Sequence, residues 1–307
     1  MTIPVACFRI LEYESALLDR AVDALLSECL PPVAPGTRVL VKPNLISRVN
    51  ASLSCTNPLV VRAVCARLLD RGARVVVGDS PAFGSARQVA SANGLRQALE
   101  PLGVPLATLG RPAQRPLSFG GTIGISRTAL EQDLIVNLPR LKAHAQFRIT
   151  GAVKNLFGCV VGFRKALAHT RHGEYPGRLA AVLADVMAAL PDTVALMDAV
   201  HPMHGTGPIK GEPFHLGLLA ASPDSAALDT LASTLLGLTP EELPLWAELR
   251  RRGLPGAFAE NLEFPLESPD GFDASGFRLP EKLDAMEFEP VRFVRGRVRS
   301  LLDHFRR

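Results

Sequence analysis

Four short apolar runs set the frame of this chain: Arg38–Val41, Ala73–Val77, Leu134–Leu138 and Thr193–Met197. Each is bounded by Pro, Gly or Asp and is too short for a helix, which suits buried strands. Helical patterns alternate with them. Glu14–Leu30 carries Ala16, Leu17, Ala21, Ala24, Leu25 and Leu26 on one face. Asn57-Pro58 offers a capping side chain followed by a residue that needs no N–H, and Gly72 supplies the exit. Ser85 with Gln88, and Thr239 with Glu242, have capping-box spacing, and Ser222-Pro223 reads as the start of a helix to Leu236. A first strand at Val5–Ile10, weaker ones at Pro105–Leu109 and Gly124–Ser126, a helix over 178–190 and a strand over Phe214–Ala221 complete the pattern. Strand–helix alternation predicts an α/β fold, a mainly parallel sheet with helices on both faces. An irregular C-terminal extension is expected beyond it. The expected division is an α/β domain over 1–253 and, over 254–307, an acidic extension with a basic amphipathic C-terminal helix.

Polar residues follow these strands closely. Lys42 and Asn44 follow the first run, Asp79 and Ser80 the second, and Arg140, Lys142 and His144 the third, with Lys154 and Asn155 close behind. Asp198 follows the fourth, before a loop holding Gly205, Gly207 and Lys210. In an open α/β sheet, ligands bind outside the carboxyl ends of the strands. One concave site is therefore expected. Its catalytic candidates are Lys142, His144, Lys154, Asn155 and Asp198. Its binding candidates are Lys42, Asn44, Asp79, Ser80, Gly205, Gly207 and Lys210. Converging lysines, with Arg140 and Arg164, imply an anionic small-molecule ligand carrying a carboxylate or phosphate. Read blandly, the same cations are solvated around a rim and never meet. His169 and His172, and His201 and His204, have HxxH spacing, which on a helix puts both rings on one side. His169, His172 and His204 are thus candidate ligands for a divalent metal, with Asp198 or Asp79 as the hard ligand. General acid–base use of one histidine is the competing reading.

Several classes are disfavoured. No GxGxxG precedes Asp79 and no GxSxG elbow occurs, so neither a nicotinamide-binding domain nor a serine hydrolase is expected. The five cysteines are scattered, with no CxxC pair, so the chain has no cluster-binding cysteine motif. The net charge is +4, yet residues 291–307 hold six Arg against one Asp. The body is close to neutral and is not expected to bind nucleic acid. No apolar run approaches the ~20 residues that span a bilayer, and no signal peptide is evident, so a cytoplasmic location is expected.

Taken together, Val41-Lys42-Pro43-Asn44-Leu45, Gly78-Asp79-Ser80-Pro81, Asn137 to His144 and Thr150 to Gly158 resemble the family called domain of unknown function 362, described as uncharacterised iron–sulfur-centre-type proteins. The Asp198 to Gly211 loop, Asp224 and Asp229 extend the resemblance over roughly residues 38–237. It implies an α/β fold and, because many members carry a ferredoxin-like module, redox work. This chain lacks that module. Electrons for a reductase would come from a separate iron–sulfur protein or a cofactor. The alternative is a non-catalytic module that binds and delivers a metal or cofactor.

Val291, Val294, Val298, Leu301, Leu302 and Phe305 recur at helical steps near the C-terminus. Such a helix suits an anionic membrane. Residues 260–289, with nine acids against two bases, make docking onto the protein itself the preferred expectation, ahead of membrane contact.

Overall fold

The computed structural model describes residues 2–81, 84–162 and 176–280. Arg164, His169, His172 and the C-terminal helix lie outside the described residues. The strands are β1 (Ala6–Arg9), β2 (Arg38–Pro43), β3 (Arg74–Asp79), β4 (Leu106–Thr108), β5 (Leu134–Leu138), β6 (Arg140–His144), β7 (Arg148–Thr150), β8 (Thr193–His204) and β9 (Leu218–Ser222). With the short strand Glu212–Pro213 they form a ten-stranded sheet.

The long strand β8 organises it. Along one edge β8 pairs in parallel with β5 and then with β6. From β5 the parallel series continues through β2 and β3 to β4. Along its other edge β8 pairs antiparallel with β9, which in turn holds β1 antiparallel. The sheet is therefore mixed, parallel at its centre and antiparallel at its margins. The connections explain the difference from a mainly parallel expectation. No helix intervenes between β8 and β9, nor between β6 and β7, and a parallel return needs a long crossover. Gly124–Ser126 belongs to Thr122–Ser126, which pairs with Pro112–Pro116 in a separate hairpin rather than joining the main sheet.

The main helices are α1 (Ser15–Cys29), α2 (Pro58–Asp70), α3 (Ala86–Ala92), α4 (Ala152–Leu156), α5 (Pro176–Ala188), α6 (Ser225–Leu235) and α7 (Pro244–Arg251). The α2 cap forms as its residues dictate, Asn57 Oδ1 accepting from Leu59 N at 2.9 Å. The Ser85–Gln88 box closes with bonds of 3.0 and 3.3 Å. Helix α6 starts later than Ser222-Pro223 suggests, because the Asp224 carboxylate accepts from Ala226 N at 2.7 Å.

Alternation along the strands assigns the two faces. Val39, Val41, Leu134 and Val136 pack with Leu18, Leu25, Val61 and Val64 of α1 and α2. Leu40 and Ile135 face the other way, toward Val153, Val182 and Leu249 of α4, α5 and α7. Helices thus cover both faces. The segment beyond Gly253 runs back along the body, where Leu262–Glu263 pairs in parallel with Ile3–Pro4. Glu267 accepts from Arg9 N at 2.7 Å.

Candidate functional site

Period-2 alternation places Lys42 on the same side as Leu40, and register sets Lys42 opposite Asn137. Both side chains meet α4 there. The Lys42 ammonium is fully buried, 3.1 Å from the Asp79 carboxylate at the end of β3. It also donates to Asn155 Oδ1 at 3.2 Å and to the Pro43 carbonyl at 3.0 Å. Asp79 is held in turn by Leu45 N and Ser80 N, each at 2.8 Å. Asn155 Nδ2 donates to Asn137 Oδ1 at 2.7 Å, and Asn137 Nδ2 donates to the Ala152 carbonyl at 2.9 Å. A Cβ at Gly158 would collide with Lys42 and Asp79.

Asn44 joins this group to a second lysine. Its Nδ2 donates to Asn155 Oδ1 at 2.9 Å, while its Oδ1 accepts from Lys142 Nζ. Lys142 is also fully buried, and its other acceptor is the Ser54 carbonyl at 2.6 Å. The two buried lysines have unequal partners. Lys42 has Asp79, whereas among the described residues Lys142 has only neutral oxygens within hydrogen-bond reach. Burial therefore holds the Lys142 amine well below the ordinary lysine range, with Cys55 and Asp79 opposing and Lys154 and Arg140 reinforcing the shift. Lys154 lies half-buried on α4, its ammonium 5.5 Å from the centre of the Phe147 ring. His144 is buried at the end of β6, its Nδ1 accepting from Gln146 N at 3.1 Å and Phe147 N at 3.3 Å. An accepting Nδ1 puts the proton of the neutral ring on Nε2.

Arg140 and Asp198 form a separate buried network. They pair directly across β6 and β8. Tyr13 donates to Asp198 Oδ1 at 2.7 Å, and Asn57 N donates to Asp198 Oδ2 at 2.9 Å. Burial and the neighbouring Asp198 push the Tyr13 hydroxyl well above its usual range. Asp198 thus directly contacts Arg140, Tyr13 and Asn57 rather than the lysines. Thr56, the chain neighbour of Asn57, donates to the Leu138 carbonyl at 2.7 Å and accepts from Asn44 N at 2.8 Å.

The glycine loop packs closely against β6, since a Cβ at Gly207 would run into the Ala143 carbonyl. Gly205 takes a left-handed φ of 77°. Lys210 is exposed and stays outside the buried group. Asn50 Nδ2 donates to the Ile209 carbonyl at 3.1 Å, tying this loop to the short helix Ala51–Ser54 that covers Lys142. His204 lies elsewhere, between Phe214 and Phe277. Its Nδ1 accepts from Arg278 N at 3.2 Å, and burial beside the Arg278 guanidinium holds the ring below its usual range. His201 and His204 belong to a strand, not a helix, so their spacing does not put both rings on one side. His204 therefore has neither His201 nor Asp198 as a co-ligand.

A model of the family described as Domain of unknown function (DUF362) matches residues 39–234, from β2 into α6. The chain belongs to this family. It is similar to the Thylakoid-associated protein sll1697 of Synechocystis sp. (strain ATCC 27184 / PCC 6803 / Kazusa), 40% identical over 276 residues, covering 89% of this chain and 84% of that protein. Among solved structures it is similar to the lactate racemase apoprotein from Thermoanaerobacterium thermosaccharolyticum, with TM-score 0.46 and 13% identity. That match covers 74% of this chain and 55% of the other. A Thermotoga maritima protein matches with TM-score 0.42 and 10% identity, over 71% of this chain and 57% of its own. This chain thus spans a little over half of each of those two structures. The DUF362 match includes Lys42, Asp79, Lys142, Asn155 and Asp198 and leaves out Tyr13. No helix among the described residues is long and apolar enough to cross a membrane.

Tyr13 and the Thr56 contacts with Asn44 and Leu138 escape a reading of the sequence. Tyr13 sits in no periodic pattern and its partner is 185 residues away. Asp229 was legible only as part of the resemblance. In the structure its carboxylate accepts from Ala152 N and, at 3.1 Å, from Val153 N, fixing the start of α4.

Proposed function

We propose that this DUF362 chain is an enzyme acting on a small anionic molecule, with the Lys142 amine moving a proton in its reaction. The observation that carries this is a fully buried lysine amine held, among the described residues, by neutral oxygens alone, at the carboxyl edge of the parallel strands. A neutral amine has two N–H groups and one lone pair. Asn44 and Ser54 use the two hydrogens, which leaves the lone pair to act as a base. An anion arriving beside Lys142 would lower the cost of the ammonium form and raise its basicity on binding. Half-buried Lys154 supplies charge to draw the anion in. Entry requires movement of the Ala51–Ser54 cover. A reductive reaction, fed by a separate iron–sulfur protein or cofactor, is the finer form of this reading and rests on the family resemblance. We place the work in the cytoplasm; the name of the cyanobacterial relative makes the membrane fraction the one to compare. A second reading, metal binding and delivery, draws on a different cluster, Glu12 with His201 and His215.

The test is calorimetry with inorganic phosphate and with succinate near neutral pH, in two buffers of different ionisation enthalpy. Proton uptake on binding is expected for the native protein and not for Lys142→Met. Lys154→Ala should weaken binding about tenfold, less so at high salt. Absence of binding, or equal proton uptake by Lys142→Met, would overturn the proposal.

A further inference from the structure

We infer that Glu12, His201 and His215 bind one divalent transition-metal ion of the zinc class, at a site separate from the lysines. The three residues come from distant parts of the chain. Glu12 follows β1, His201 belongs to β8, and His215 lies just before β9. One ligand atom from each lies within 4.8 Å of the other two. His201 Nε2 is 3.2 Å from Glu12 Oε2, and the two imidazole centres are 5.1 Å apart. Ligands around tetrahedral zinc, with bonds of ~2.0–2.1 Å, stand about 3.3 Å from one another. Rotation of the exposed Glu12 and His215 side chains closes the remaining gap.

The backbone behind these residues is already braced. The register of β8 against β6 shifts between Asp198 and Met203, and His201 lies in that irregular stretch. Such bulges re-aim a side chain. The His201 carbonyl accepts from the Arg140 guanidinium, and Tyr13, next to Glu12, is anchored on Asp198 at 2.7 Å. His215 Nε2 donates to the Leu11 carbonyl at 3.0 Å, which leaves Nδ1 as the atom with a lone pair for a metal. A backbone carbonyl orienting the second ring nitrogen is a recurrent feature of metal-binding histidines. Two imidazoles and one carboxylate suit zinc and its neighbours better than magnesium or calcium, which prefer all-oxygen shells. Three protein ligands on a half-exposed surface leave a fourth position open to water or substrate.

The test uses the full chain after chelator treatment and dialysis. Calorimetry with zinc chloride should give one equivalent bound, and cobalt(II) should give the visible absorption of a tetrahedral site. Glu12→Gln and His215→Ala change exposed side chains and should each weaken binding at least about tenfold. His204→Ala should leave it unchanged. No stoichiometric binding overturns the inference. So does binding that survives His215→Ala and is lost in His169→Ala. The anion calorimetry above does not involve these residues, so either proposal can fail alone.

Discussion

A Cβ at Gly158 would occupy the volume now filled by the Lys42 ammonium and the Asp79 carboxylate. Gly158 is not among the glycines with positive φ, so the constraint there is space rather than backbone strain. Gly158→Ala should push the buried ion pair apart and lower stability by ~1–3 kcal/mol, the usual range for overpacking. Urea unfolding measures this, and a loss below ~0.5 kcal/mol would mean that the pair shifts freely. At this scale much of the candidate site is legible in the sequence. Lys42 follows one apolar run directly, Asn44 and Asp79 come within three residues of theirs, and Lys142 and Asn155 lie further along after another. Asn137 was legible as part of the resemblance and as a polar residue inside a strand, but its purpose depends on facing Lys42 on the neighbouring strand. Tyr13 gave no local sign at all.

Helix α4 has only five residues and owes its start to a neighbour. Asp229 of α6 receives the Ala152 and Val153 amides, and Gly151 leaves room for that carboxylate. Burial pushes the Asp229 carboxyl up from 3.8 to about 7, while the two amides pull it the other way. The folded protein therefore holds this proton over a range where the unfolded chain has released it. The contribution to stability is fully present below about pH 4 and is lost as pH rises through about 7. Asp229→Asn should flatten that part of the stability profile, read as urea midpoints from acid to neutral pH. An unchanged slope would refute the assignment. Local chemistry made several elements readable, since capping boxes depend on side chains three residues apart. Strand β6 was available too, because Arg140, Lys142 and His144 alternate with Leu141 and Ala143. The length of β8 was not legible, because Asp198, His201 and Pro202 interrupt the apolar pattern where the register shifts.

The whole sheet combines a parallel centre, which strand–helix alternation announces, with antiparallel margins, which it does not. Nothing near β1 in the sequence says that its partner is β9. Residues 6–9 cover the outer edge of β9, so a chain lacking residues 1–10 should expose that edge and form larger species than the full chain on size-exclusion chromatography. Added peptide spanning residues 1–12 should reverse this, and a truncated chain with unchanged size and stability would argue that the edge is already protected. The same pairing has a consequence in time. Strand β1 leaves the ribosome before β9, which follows roughly 210 residues later. At ~5–20 residues per second, β1 waits roughly 10–40 s for its partner. A long apolar strand would be open to capture by other chains throughout that interval. With four residues ending in Arg9, β1 is a poor template while it waits.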